Sequence, residues 1–299
     1  MNIIKKLPIP AAGLILALLS LGNLVQDINP YLRYLLAAIG VLFLILLILK
    51  VILYPQDIRN DFKNPVIVSS SGTFSMSLML LSTYVIEFMP NIAHAIWIIG
   101  IALHIMLMIY FTYHFIVHDF DITMVYPSYW IVFVGITMGA ITAPAHGIKE
   151  IGFIFFMIGF MAMIVTLPLV VYRYIRYSNI PDMNKPLICI FTALMSILIV
   201  GYLNSSAGIS YEFLTAIYSI SIIFYIFALY KFIDYRNLEF YPSFAAFTFP
   251  FVISALATKG ILKINNSNAF LSPILAIETL IALAIVIYVL IRYLKFLKK

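Results

Sequence analysis

Five prolines set the frame of this chain. Pro8, Pro65, Pro127, Pro186 and Pro242 stand 57, 62, 59 and 56 residues apart, and each opens a short apolar segment. Behind each comes a longer one built of Leu, Ile, Phe and Met, such as Leu42-Phe43-Leu44-Ile45-Leu46-Leu47-Ile48-Leu49. A near-constant period of this length marks a repeated unit, here a helical hairpin. Proline suits the first position of a helix, where its missing N–H costs nothing. The short segments also carry small and hydroxyl residues where the long ones carry aliphatics. Examples are Ser69-Ser70-Ser71-Gly72-Thr73, then Gly135, Thr137, Gly139 and Thr142, then Thr192, Ser196 and Gly201, and last Ser243, Thr248, Ser254 and Thr258.

Such segments cannot be solvated by water. Only 10% of the 299 residues are charged, 64% are hydrophobic, and mean hydropathy is +1.08. A soluble domain carries about a quarter charged residues, and a run of roughly 18 apolar residues suffices for a transmembrane helix. The reading is an all-α polytopic membrane protein forming one transmembrane domain over 1–299. Ten transmembrane helices are expected near 8–26, 31–54, 66–87, 91–117, 127–147, 150–176, 186–204, 210–235, 242–260 and 270–296. Paired as five helical hairpins, they would stand in quasi-five-fold arrangement around a central pore, with the odd-numbered helices inside. Lys5 and Lys6 ahead of an apolar stretch resemble the start of a signal peptide. Without a small-residue cleavage site, the stretch is read as the first span.

Fourteen Lys and Arg fall in one set of regions, including Arg59, Lys63, Arg173, Arg176, Lys231, Arg292 and Lys299. Only Arg33, Lys149, Lys259 and Lys263 fall in the other. The positive-inside rule then puts both termini in the cytoplasm. The excess of six positive charges is spread over short loops, so no nucleic-acid surface is implied. Short loops and a compact chain suggest a bacterial inner membrane.

The middles of the inner helices carry no ionisable residue. A cation pathway normally shows acidic rings, whereas hydroxyls and exposed amides can replace part of an anion's hydration shell. Gly135-x-x-x-Gly139 by itself reads as close helix packing. Glu278 falls on the tenth, outer span, and is expected near the extracellular interface, paired or snorkelling. His114 and His118 share a helix face near Asp119 and Asp121, and read as a solvated cluster at the cytoplasmic end. His94, His104 and His146 lack ligand spacing. Cys189 is a lone thiol in an apolar run, expected as a small buried hydrophobe. No nucleotide, zinc-protease or nucleophile–base motif is present, so no catalytic residue, metal site or cofactor is expected.

The repeat layout resembles the tellurite-resistance/C4-dicarboxylate transporter family, which includes plant slow anion channels. The local matches are Pro8-Ile9-Pro10 with Gly13 and Leu18-Leu19-Ser20-Leu21, then Pro127-Ser128-Tyr129-Trp130, then Phe247-Thr248-Phe249-Pro250. The resemblance implies five hairpins around a pore, assembly as a homotrimer, and a phenylalanine on the ninth span that closes the pore. The second aromatic of the family's aromatic–small–aromatic pattern matches Phe249. Residues two apart on a helix point about 200° apart, so Phe247 and Phe249 cannot both face the pore. Pro250 is the expected hinge, while Gly13, Ser71, Thr73, Thr137, Ser196 and Thr248 are the expected wall. Family members often carry tryptophan where this chain has Ala245-Ala246.

The resulting expectation is an anion channel in a lipid bilayer, passing chloride, nitrate or similar small anions. The alternative is a secondary carrier of tellurite, C4-dicarboxylates or other small anions, with or without proton coupling. A scaffold or enzyme subunit is disfavoured by the absence of catalytic residues and of any sizeable soluble domain.

Overall fold

The computed structural model describes residues 3–264 and 270–298; Lys299, counted above in the charge asymmetry, lies outside them. Among the described residues every regular element is helical. Long helices are α3 (Pro30–Leu53), α6 (Pro90–Thr112, running on into a π-helical turn Tyr113–His118), α9 (Lys149–Arg176), α11 (Tyr211–Tyr235) and α13 (Leu271–Lys298). Shorter or broken segments alternate with them. These are α2 (Ala11–Val25), α5 (Pro65–Val85), α7 (Tyr129–Phe133) with α8 (Thr137–Thr142), α10 (Phe191–Ser205) and α12 (Phe249–Ile264). Small helices α1 (Ile3–Lys6) and α4 (Pro55–Asp61) flank the first pair. Pro30, Pro65 and Pro90 each stand in the first turn of their helix, and Asn29 and Asn64 cap theirs through their side-chain oxygens.

Each short segment packs on the long helix that follows it. The short segments also touch one another in a closed order: α2 on α5, α5 on α7 and α8, α8 on α10, α10 on α12, and α12 back on α2. Their burial follows from that position. In its most apolar window the Asp182–Ser205 stretch is 94% buried, against 28–33% for the five long helices. The long helices turn Leu42, Ile98, Ile154, Val165, Ile223 and Leu280 outward. A belt of exposed aliphatics of this kind is stable only in hydrocarbon, and the chain is a multi-pass membrane protein.

Among the described residues eight helices are long and apolar enough to cross a bilayer. Two expected spans fall short of that form. The first is the 15-residue α2, only about 22 Å long at 1.5 Å per residue. The second, expected as one helix over 127–147, is broken into α7, α8 and a 3-10 turn at Ala143–His146. Two further segments begin as 3-10 helix, Asp182–Ile190 before α10 and Pro242–Phe247 before α12. Pro186 therefore sits inside a 3-10 run and does not start an α-helix. Irregular backbone is tolerated at membrane depth where protein surrounds it.

The small residues of the fifth segment serve packing. Thr137 is wedged between α9 and α10, so that a methyl group added to Gly159 would lie 2.1 Å from Thr137 Oγ1, and one on Gly201 2.3 Å from Thr137 Cγ2. Gly159→Ala is accordingly expected to destabilise the fold by about 1–3 kcal/mol through overpacking. Thermal unfolding in detergent checks this, and Thr137→Gly in the same chain should recover most of the loss. No recovery would mean that the clash lies elsewhere.

Candidate functional site

Two hollows lie between the inner segments. The narrower, about 60 Å³, is walled by Pro10 and Gly13, Ser70 and Thr73, Trp130 and Gly135, Ile190 and Leu194, and Ala246 and Phe249. The wider, about 480 Å³, is walled by the other ends of the same five segments together with Arg33 of α3. Along α5 the wall residues are Ser70, Thr73, Met76, Leu80 and Thr83; along the last segment they are Ala246, Phe249, Ile253, Leu256, Gly260 and Lys263. Steps of three and four residues keep one helix face on the axis throughout. Met76 and Leu80, Ile197 and Val200, and Pro250 and Ile253 belong to opposite hollows. Only about one helical turn, roughly 5 Å, separates the two spaces.

Phe249 stands where the narrow hollow ends. The last inner segment changes from 3-10 to α-helix at Thr248 (φ −93°, ψ −79°), and α12 starts at Phe249. Pro250, expected as a mid-helix hinge, is thus the second residue of α12, where no N–H is required; the discontinuity precedes it. The neighbouring rings have partners. Phe244 meets Phe247 at 5.1 Å, Phe247 meets Phe232 at 5.2 Å, and Phe251 meets Tyr225 at 5.4 Å. Among the described residues Phe249 alone of these four makes no ring contact, and it lines the hollow while 6% exposed.

Of the expected wall residues, Gly13 and Thr73 line the narrow hollow with Phe249 and Pro250. The others do not. Ser71 faces a lateral, largely apolar groove against Leu103 and Met106. Thr137 packs against Gly159 and Gly201, Ser196 bonds Thr192 O at 2.8 Å and Ser221 Oγ at 2.9 Å, and Thr248 bonds Ala245 O at 2.6 Å. A hydroxyl-rich helix spreads its hydroxyls all round, so density does not tell which of them face the axis. The missed wall residue, Ser70, lies three before Thr73 and was legible as a helical neighbour.

The hydroxyls also spend their protons locally. Ser70 Oγ donates to Val66 O at 2.7 Å and Thr73 Oγ1 to Ser70 O at 2.7 Å, the back-bonding usual for Ser and Thr inside helices. What they turn to the narrow hollow is lone pairs. That stretch of the axis is therefore close to apolar, though the buried Nε1–H of Trp130 on its wall has no hydrogen-bond partner among the described residues, and the charged donors lie further along.

Those donors are in the wide hollow, whose wall includes Arg33, Lys259 and Lys263 but no acidic residue. Arg33 Nη1 donates to Glu87 Oε1 at 2.8 Å and Nε to Asn23 Oδ1 at 3.2 Å, with the guanidinium 4.5 Å from the Tyr84 ring centre. Lys259 Nζ pairs with Asp27 at 2.8 Å and donates to the α2 carbonyls of Leu24 and Asn23. The acids point outward, with side chains 60% (Asp27) and 41% (Glu87) exposed. The hydrogen bond from Lys259 holds the Asp27 carboxyl below the usual aspartate range, and that from Arg33 does the same for Glu87. Both pairs therefore contribute above the ordinary carboxylate pKa and are lost as pH falls through the depressed one.

Glu278, expected at the interface, is instead 2% exposed on the face of α13 that packs against α12, where Ser254 Oγ donates to its Oε1 at 3.1 Å. It shares the buried stripe with Ala282, Ile285, Val286 and Val289, so the packing of α13, not its depth, decides its surroundings. His104 is fully buried between Ser75 Oγ (2.7 Å) and Val132 O (3.0 Å), and His146 meets Ser82 Oγ at 2.9 Å. His118 Nδ1 lies 2.9 Å from Tyr113 O in the π-helical turn. Among the described residues no three His, Cys, Asp or Glu stand together as a metal site.

The family model of voltage-dependent anion channels (SLAC1) matches residues 7–294, nearly the whole chain. No curated protein sequence matches.

Proposed function

As the chain belongs to the voltage-dependent anion channel family, whose members are anion channels or transporters, we propose that it is a passive anion channel closed by Phe249. The path runs along the axis of the five inner segments, which with their long partners form ten spans in five hairpins. It passes from the narrow hollow to the wide one. The observation that carries the reading is Phe249 itself, unpartnered beside three partnered phenylalanines and set one turn from the wide hollow. An apolar constriction of this kind can close a pore by excluding water. Gly13, Ser70 and Thr73 contribute its wall, and the break at Thr248, with Pro250 behind it, lets the ring move. Ser71, Thr137, Ser196 and Thr248 then act as packing residues.

By the charge asymmetry both termini face the cytoplasm, and the wide, basic hollow opens outward. By family resemblance the protein is a homotrimer passing chloride, nitrate or another small anion, and its short loops and compact chain favour a bacterial inner membrane. Reconstitution under a potassium chloride gradient tests the function. The reversal potential is expected near that of chloride, and a value near that of potassium would exclude an anion path.

Glu278 favours a second reading, a carrier of tellurite, dicarboxylate or another small anion. A carboxyl buried against Ser254, one turn beyond Phe249, is unusual inside a membrane, where ionisable groups mark coupling sites by default. Saturable uptake driven by a proton gradient and abolished in Glu278→Gln would establish the carrier and remove the channel.

A further inference from the structure

The cations of the wide hollow are not equivalent. An ammonium has three donors, and Lys259 engages all three, on Asp27, Leu24 O and Asn23 O. It closes the end of α2 and has nothing left for a guest. A guanidinium has five donors in a planar fork. Glu87 and Asn23 engage Nη1 and Nε of Arg33, which leaves the rest of the fork for other partners. Arg33 also decides how Asn23 is turned. Because Arg33 can only donate, the Asn23 oxygen must face it, and the amide NH₂ is left as a second donor on the same wall.

We infer that Arg33 and Asn23 form an anion-binding site in the wide hollow, for small monovalent inorganic anions such as chloride or nitrate. The inference rests on the reading of this axis as an anion path. The narrow hollow offers no charged group to an anion leaving water; the charge-assisted donor pair stands at the far end of the wide hollow, Asn23 lying roughly 15 Å beyond Gly13 along α2, and can recruit one there. Glu87, 2.8 Å from Arg33, is what keeps the site weak. It offsets most of the guanidinium charge, so that a bound ion can leave again, as conduction requires. A dianion would gain more from the fork and dwell longer, which makes it a blocker.

The test reads binding and conduction separately. Chloride-35 NMR line broadening is measured on detergent-solubilised protein, for wild type, Arg33→Gln and Asn23→Ala. Each substitution is expected to raise the half-saturating chloride concentration about tenfold, the worth of one hydrogen bond to an ion. Arg33→Lys, which keeps the charge without the fork, should fall between. Asn23→Ala leaves the Arg33–Glu87 pair in place, so it answers even where Arg33→Gln fails to fold. Broadening unchanged in Asn23→Ala and in whichever Arg33 variant folds would overturn the site. The same substitutions are then placed in the Phe249→Ala background and the chloride dependence of the current recorded. Current with an unshifted half-saturation removes the site alone. Absence of current with chloride broadening that still depends on Arg33 removes the channel and leaves the site standing.

Discussion

Replacing Phe249 by alanine is expected to raise anion conductance at least about tenfold over wild type, since a barrier lowered by only ~1.4 kcal/mol has that effect. The ring lines the end of the narrow hollow, and the wide hollow begins one turn on, at Ile253. Removing it joins the two spaces. The stability cost should fall below that of its neighbours, because Phe249, though buried, borders the hollow and makes no ring contact among the described residues. Phe247→Ala and Phe251→Ala provide the contrast. Both side chains are fully buried and packed on Phe232 or Tyr225. Their loss is expected to cost about 3–5 kcal/mol of stability and leave conductance low. Single-channel and macroscopic currents in planar bilayers, beside unfolding curves of the same preparations, separate the two patterns. If Phe249→Ala is as silent as wild type, or if Phe247→Ala opens the protein equally, Phe249 is not the plug.

Arg173→Ala is expected to cost about 3–5 kcal/mol of stability, the range for removing one partner from a buried charged network. Arg173 is 1% exposed near the end of α9, yet no acid pairs with it among the described residues. Its guanidinium donates to Thr123 O from Nε (3.2 Å) and Nη2 (3.0 Å), to Tyr126 Oη at 3.0 Å, and to Tyr177 O at 3.2 Å. It also lies 4.4 Å and 5.0 Å from the ring centres of Tyr126 and Tyr174. It thereby ties the 3-10 turn Ile122–Met124 and Tyr126 to α9 just before the broken fifth segment begins. Alanine leaves the Thr123 carbonyl and the Tyr126 phenol without this donor. Arg173→Lys keeps the charge but not the fork and should recover less than half. The single thiol, Cys189, is buried and reports unfolding without labelling the surface. A thiol-reactive dye followed through a thermal ramp should show Arg173→Ala unfolding well below wild type. Equal midpoints would mean that the network is incidental.

Much of the architecture could be read in the linear chain because its causes are local. Whether eighteen successive residues are apolar decides whether they enter lipid, whatever their neighbours do. The long helices were therefore legible, as was the alternation with shorter partners. The breaks were not. A proline such as Pro65 starts an α-helix, while Pro186 lies within a 3-10 run, and no residue pattern separates them. The difference comes from the neighbouring segment, since Asp182–Ile190 and Pro242–Phe247 pack against each other in the same conformation.

Less of the candidate site could be read in this way. Helical geometry forbids Phe247 and Phe249 from sharing a face, but the choice of Phe249 between them came from the family resemblance. Ser71 and Ser196 could not be told from Ser70 by composition, because one residue turns a side chain by about 100° and only packing fixes that rotation. Glu278 looked like an interfacial acid because depth is readable from position and orientation is not. Arg33, Asn23, Glu87 and Lys259 are scattered over more than two hundred residues, and no spacing rule connects them. By itself the sequence determined that this chain is helical and membrane-embedded, with short and long apolar segments in alternation and no acidic residue in the middle of the short ones, since each of these follows from transfer energies and short-range periodicity. Only the tertiary structure decided which face of each inner helix meets the axis, where the helices break, and which cations gather on the wall of the wide hollow. Those outcomes depend on what the opposing helix offers at contact distance, and the chain does not carry that information locally.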